Sequence, residues 1–395
     1  MTARRGEGPL LDATIEVTVT AAAHGGHCIA RYDGRVVFVR HALPGERVLA
    51  RVTEDHGGSF CRADAVQILT AAAGRVEPPC RFAGPGKCGG CDWQHADPEL
   101  QRELKAAVVA DALRRIGGLS DVDVSVEALP GGPLHWRSRA QFAVDRSGRL
   151  GLRRHRSHTV QPLEECLLVP EESWSAVSAR RWPRLSTVEV VRSGTGEVRV
   201  DARTRRRPQT AGAVVHERAA GRAWTLHASG FWQVHPAAAE VLTGCVRDFL
   251  VARPEERVVD LYSGVGLFGA VLAPSVASVV AVESDAAAAA DAEANLADLA
   301  NVRTLAEPVD AALIGRLEFD LAVLDPPRSG AGAEVMQALC AARPRAIAYV
   351  ACDPAALARD VKAAREAGYR LSALRAFDAF PMTHHVECVA LLEPA

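Results

Sequence analysis

Cys352 stands where an apolar run, AIAYVA, gives way to Asp353-Pro354, a place from which a thiol could do covalent chemistry. The run reads as a buried strand and Pro354 as the first residue of a helix, so the thiol sits at a strand's C-terminal end. In an open parallel sheet that edge is where ligands bind, although free cysteine is also among the most buried residue types. A second set of thiols is Cys80, Cys88 and Cys91 in CRFAGPGKCGGCDWQH, with Cys166 in PLEECLLVP able to complete a tetrahedral set by folding back. Thiolate-only ligation suits zinc or a [4Fe–4S] cluster, and the spacing leaves both open. Ten cysteines, several of them crowded, in a chain with no sign of secretion point to metal or catalysis rather than disulfides.

A third constellation suits a ribose-containing cofactor. In VVDLYSGVGLF a strand through Asp260 runs into the turn Gly264-Val265-Gly266, where glycines let the backbone pass close to a ligand. About twenty residues on, VVAVES ends a second strand in Glu283, whose carboxylate can accept both hydroxyls of a ribose. NAD and S-adenosylmethionine both remain open on that pair. The LDPPR turn (324–328) favours the latter, because a rigid turn holds Asp325 and the adjacent carbonyls at the cleft.

These residues need elements to position them. Residues 14–69 alternate as short strands, TIEVTVTAAA, CIARYDGRVVFVR, ERVLARVTED and FCRADAVQIL, with turns at HGGH, DG and LPGE; a closed barrel of about five strands is expected. AAAGRVEPP then reads as a linker. The middle region carries one helix, PELQRELKAAVVADALRRIGG, with Gly117 as its cap, several strand-like runs, and the positive charge. That charge lies in the arginine-rich stretch 136–158 and in Arg203 to Arg207, interleaved with aromatics and histidines as phosphate contacts combined with base stacking would require. From about 236, strands alternate with helices, which predicts a parallel sheet with helices on both faces and a terminal strand running antiparallel. The expected domains are 1–70, 71–235 and 236–395.

Charge is nearly balanced, 46 basic against 48 acidic residues for a net −2, which excludes a uniformly basic nucleic-acid binder but not a local patch. No signal peptide is read in MTARRGEGPLLD and no apolar run is long enough to span a bilayer, so a cytoplasmic protein with no membrane partner is expected. A monomer is expected.

Taken in order, the cysteine cluster, FWQVH (231–235), DLYSGVG, LDPPR, YVACDPAALARD and PMTHHVECVALL resemble the S-adenosylmethionine-dependent RNA 5-methyluridine methyltransferases over nearly the whole chain. The N-terminal barrel resembles the TRAM domain of some members. The resemblance implies an α/β fold: a Rossmann-like class I methyltransferase domain preceded by a TRAM/OB-like β-barrel and a mixed α+β central domain with a metal cluster. It implies a [4Fe–4S] cluster on Cys80, Cys88, Cys91 and Cys166, Cys352 as nucleophile and Glu387 as general base. Gln233, Tyr262, Glu283 and Asp325 match cofactor- and base-binding positions, beside Gly264 and Gly266 of the turn. Members with both the barrel and four cysteines resemble most closely the enzymes of large-subunit (23S) ribosomal RNA; others act on a tRNA T-loop uridine. The chain departs from the family pattern at Leu267 and Asp353, where many members have asparagine; a carboxylate at 353 should raise the pKa of the neighbouring thiol, and the positive end of the helix from Pro354 should counter it.

The implied chemistry explains the residue types. Carbon 5 of uracil is a weak nucleophile until a thiolate adds to carbon 6, and the carbon-5 proton must later leave to a base, Glu387 or else His384 or His385. The uridine must leave its stack, with Phe231 or Trp232 packing on it and Gln233 bonding its edge. Two other classes compete: a non-catalytic RNA-binding protein on a decayed methyltransferase, and a methyltransferase of cytosine or protein.

Overall fold

The computed structural model describes residues 8–204 and 213–395. Arg205 to Arg207 of the second arginine cluster lie outside them, as does the N-terminal MTARRGE.

Five strands, β1 (Thr14–Ala23), β2 (His27–Tyr32), β3 (Arg35–Arg40), β4 (Arg47–Asp55) and β5 (Phe60–Thr70), close into a barrel in the order β1-β2-β3-β5-β4. Alternation sets the inside: Ile15, Val17 and Val19 face inward between exposed neighbours, and small or β-branched residues such as Val37, Val39, Ala50 and Val52 fill the lumen.

After the barrel, Asp97 caps α1 (Pro98–Arg115), accepting from Leu100 N, with Pro98 at the first position. The helix ends at Ile116 rather than at the expected Gly117; the left-handed residue is Gly118 (φ 68°), one position later. α1 packs against β6 (Val126–Ala128), and on its buried face Lys105 bonds Asp378 at 2.5 Å and the Phe380 carbonyl at 3.0 Å. A fully buried ammonium is tolerated only because both partners meet it, and removing one would cost several kcal/mol.

The middle of the chain holds β7 (Arg139–Val144), β8 (Leu150–Arg153), β9 (Val160–Pro162), α2 (Glu171–Ser178), β10 (Thr187–Arg192) and β11 (Val198–Arg203), which form an antiparallel sheet in the order β11-β10-β7-β8-β9 with α2 packed on it. A ribbon of β12 (Val214–Ala219) and β13 (Arg222–His227) leads to α3 (Ala238–Leu250).

The last third is built from β14 (Arg257–Leu261), α4 (Leu267–Leu272), β15 (Ser278–Val282), α5 (Ala286–Leu296), β16 (Val302–Leu305), α6 (Ala311–Ile314), β17 (Leu321–Leu324), α7 (Ala333–Ala341), β18 (Ala346–Ala351), α8 (Pro354–Glu366), β19 (Tyr369–Asp378) and β20 (Glu387–Pro394). They form one eight-stranded sheet in the order β16-β15-β14-β17-β18-β20-β19-β6, in which β20 alone runs antiparallel to its neighbours. Every residue of β17 and β18 is buried, as helices on both faces require. β6 comes from the segment expected to be a separate central domain, and with α1, which packs on α8, it completes this sheet's far edge.

Candidate functional site

The C-terminal ends of β14, β17 and β18 lie side by side, and each delivers one of the singled-out residues: Tyr262, Asp325 and Cys352. After β14 the chain turns through Tyr262 (φ 59°), Gly264 (φ 54°) and Gly266 (φ 91°) into α4. A side chain at Gly266 would meet Leu296 Cδ1 at 2.6 Å as well as strain the backbone, so glycine is needed there twice over. Glu283, at the end of β15, accepts from Gly264 N at 3.0 Å and Asp285 N at 2.8 Å, which fixes its carboxylate against the turn. Asp260, fully buried, accepts from Gly269 N at 2.7 Å and so ties β14 to α4; burial pushes its pKa up to about 7. Gln233 is buried, with 7 % of its surface exposed.

The nucleophile candidate and the base candidate meet through strand register. Ala351 of β18 pairs Cys388 of β20, so one step outward sets Cys352 opposite Glu387. Residues so opposed have β-carbons about 5 Å apart. Glu387 is buried, contrary to the solvent-facing position an edge strand would give, and burial and then Asp325 hold its pKa well above the carboxylate range. Asp325 is likewise pushed up to about 7 by burial. The Cys352 thiol is pushed up to about 12 by burial, then by Glu387 and Asp325, with Arg328 the opposing cation. Asp353, which caps α8 by accepting from Ala356 N at 2.8 Å, adds to the rise as its charge predicts.

The neighbouring histidines are otherwise engaged. His384 Nδ1 lies 2.7 Å from Asp92 Oδ2, and His385 is pushed down to about 3, chiefly by burial, with its Nε2 3.5 Å from Arg328. Of the two aromatics considered for the flipped base, Trp232 is buried against Trp224, ring centroids 5.8 Å apart, while Phe231 is 69 % exposed. Adjacent aromatics in a loop carry no sequence signal of which one turns inward. Arg328 was legible in LDPPR as part of a turn but not as the site's cation.

Cys80, Cys88, Cys91 and Cys166 all line one cavity, together with Leu152 and Leu163. Cys91 Sγ accepts from Gln94 Nε2 at 3.0 Å and Cys88 Sγ from Gly90 N at 3.4 Å, while the backbone of Leu168 and Val169 faces Cys166. Among the described residues no group of three or more His, Cys, Asp or Glu side chains is arranged to hold a metal ion. Cys88 also bridges by backbone to Arg154, in the β8–β9 hairpin that carries Arg153, Arg154 and Arg156.

Residues 226–395 match the family profile described as tRNA (Uracil-5-)-methyltransferase, and residues 12–66 match the TRAM domain. An uncharacterized RNA methyltransferase of Streptomyces avermitilis is 47 % identical over 96 % of this chain and 98 % of its own. One from Corynebacterium efficiens is 36 % identical over 96 % and 94 %. Among solved structures, Pyrococcus abyssi tRNA (uracil-54, C5)-methyltransferase in complex with S-adenosyl-L-homocysteine shares the fold, with a TM-score of 0.72 over 95 % of this chain and 99 % of that one at 23 % identity.

Proposed function

From the premise that the chain belongs to the S-adenosylmethionine-dependent RNA uracil-C5 methyltransferases, we propose that it methylates a uridine of 23S ribosomal RNA through a covalent adduct on Cys352. The observation that carries the covalent reading is the β18–β20 register, which ends at Ala351 and Cys388 and so points Cys352, the next residue, towards a buried Glu387 whose charge acts on the thiol. The Cys352 thiolate adds to carbon 6 of the uracil, forming a C–S bond and placing the electron pair of the 5,6 double bond on carbon 5 as an enolate. S-adenosylmethionine, when bound, supplies the methyl group that carbon 5 takes. Glu387 then removes the carbon-5 proton, and the electron pair of that bond re-forms the double bond as the Cys352 thiolate departs. Glu387 serves only in its ionised form, and the burial that raises its pKa makes that form the stronger base for the step. Gln233, Tyr262, Gly264, Gly266, Glu283 and Asp325 hold the cofactor and the base, and exposed Phe231 packs on the flipped ring.

Cys80, Cys88, Cys91 and Cys166 share one cavity, with N–H donors to Cys88 and Cys91, and are the residues that would hold a [4Fe–4S] cluster, although their side chains as they stand are not gathered about a metal position; bound there, such a group would supply a rigid cross-link between loops. The barrel together with these cysteines supports ribosomal RNA as the target. A tRNA uridine is the second reading, favoured by the whole-chain fold likeness to the Pyrococcus enzyme. No helix among the described residues is long and apolar enough to cross a membrane.

The test is a pair of variants assayed with labelled cofactor on total RNA, the product nucleotide being mapped by mass spectrometry. Cys352→Ala should form neither product nor adduct. Glu387→Gln should stall after methyl transfer, with RNA attached to Cys352 as a band that survives denaturing electrophoresis. Normal turnover by Glu387→Gln would remove Glu387 from the mechanism.

A further inference from the structure

The turn between β1 and β2, His24-Gly25-Gly26, reaches out of the barrel to the catalytic sheet. His24 Nε2 lies 3.2 Å from Asp353 Oδ2, on the residue next to Cys352. The approach is built: Gly25 and Gly26 take φ values of 88° and 77°, and a β-carbon on Gly26 would lie 2.7 Å from the carboxyl carbon of Asp92. Only a bare backbone can be pressed so closely on that group. Asp92 in turn bonds His384 and pairs with Arg40 of β3 at 3.3 Å, and the His384 ring stands edge-on to His24 with centroids 6.1 Å apart. The turn is thus seated on both the cysteine-rich segment and the loop that leads to Glu387.

We propose that His24 is a positioning residue for the reaction, through which the barrel holds the cap of α8 and offsets the Asp353 charge beside Cys352. Three groups face His24: Asp353 from α8, His384 from the loop before β20 and, behind it, Asp92 from the cysteine-rich segment. Asp353 disfavours the Cys352 thiolate, and a protonated imidazole bonded to Asp353 cancels part of that field. Its bond to Asp353 raises the pKa of His24, which extends the charged form towards neutral pH. The assistance is therefore greatest in acid and fades as His24 loses its proton. Barrel seating and nucleophile reactivity become one property, because the same side chain serves both.

This assistance rests on the covalent role proposed for Cys352, so its test reads the thiol without RNA. The rate at which iodoacetamide alkylates Cys352, followed on its peptide by mass spectrometry, is measured from pH 6 to 9 in the full chain and in His24→Ala, His24→Gln, Asp353→Asn and the His24→Ala/Asp353→Asn double variant. His24→Ala and His24→Gln should both react about threefold or more slowly than the parent at pH 6, with the ratio closing towards pH 9. In the Asp353→Asn background the His24 substitution should change nothing. A ratio that stays constant with pH, or one that persists without Asp353, would leave His24 a plain structural residue and overturn the proposal. If the pattern holds while Cys352→Ala still methylates RNA, the covalent reading fails and the His24 coupling stands.

Discussion

A thiol pushed up to about 12 by burial, then by Glu387 and Asp325, is a poor nucleophile at neutral pH, and those carboxylates are ones the proposed reaction also needs. Cys352 must lose a proton to add to carbon 6, and a raised pKa keeps that proton on until alkaline pH. Single-turnover methyl transfer should therefore rise about tenfold per unit throughout pH 6 to 9, with no plateau. A plateau at neutral pH would mean that bound RNA or cofactor already ionises the thiol. Arg328 is the cation that counts in favour of the thiolate, so Arg328→Met should lower the rate across the whole range. Types and spacing alone single out Cys352, Glu283 and Asp325, while Glu387 enters only through the family resemblance. What they do not convey is the crowding of acids at one point, since the Cys352–Glu387 pairing depends on the register between two strands separated by α8 and β19.

At the scale of elements, the barrel and the βα alternation were legible because period-2 patterning and turn residues are local signals. β6 was not, since three residues show no period, and its strand character comes only from pairing with Ala376 to Asp378. The end of α1 differs from expectation because Ile116 caps the helix and Gly118, rather than Gly117, takes the left-handed conformation, a choice between adjacent glycines that composition does not convey. The cysteine-rich loop and the β8–β9 hairpin brace each other: Cys88 bridges Arg154, and Gly89 N donates to the Arg153 carbonyl at 3.0 Å. If iron ties that loop down, its removal should be felt by the hairpin. Cys88→Ala should lose the brown absorbance and the bound iron, weaken RNA binding, and leave cofactor affinity in place. Colourless parent protein, purified without oxygen and free of iron, would remove the cluster from the account.

On the scale of the whole molecule, near-neutral net charge leaves RNA binding to local clusters, and the hairpin arginines stand on the side of the barrel where Arg156 lies 3.7 Å from Glu54. Replacing Arg153, Arg154 and Arg156 with alanine should weaken binding and flatten its salt dependence by a slope of about 0.7 for each phosphate no longer neutralised. An unchanged slope would move the RNA surface to the Arg203 to Arg207 cluster. The way β6 closes the far edge of the large sheet has a separate bearing on how the chain comes into being. Its strand partner is β19, and Arg375 of β19 donates to both carboxylate oxygens of Glu127 in β6, each at 2.8 Å. On the ribosome, α1 and β6 emerge long before that partner exists, and their apolar faces wait through the synthesis of the middle sheet and most of the catalytic one. The barrel can fold as soon as it is made; the sheet that carries Cys352 can be sealed only when nearly the last strand arrives. Reaching back over so long a loop is slow. A nascent chain halted before β19 would carry an open strand edge and an uncovered helix, the two surfaces on which partly made proteins stick to one another.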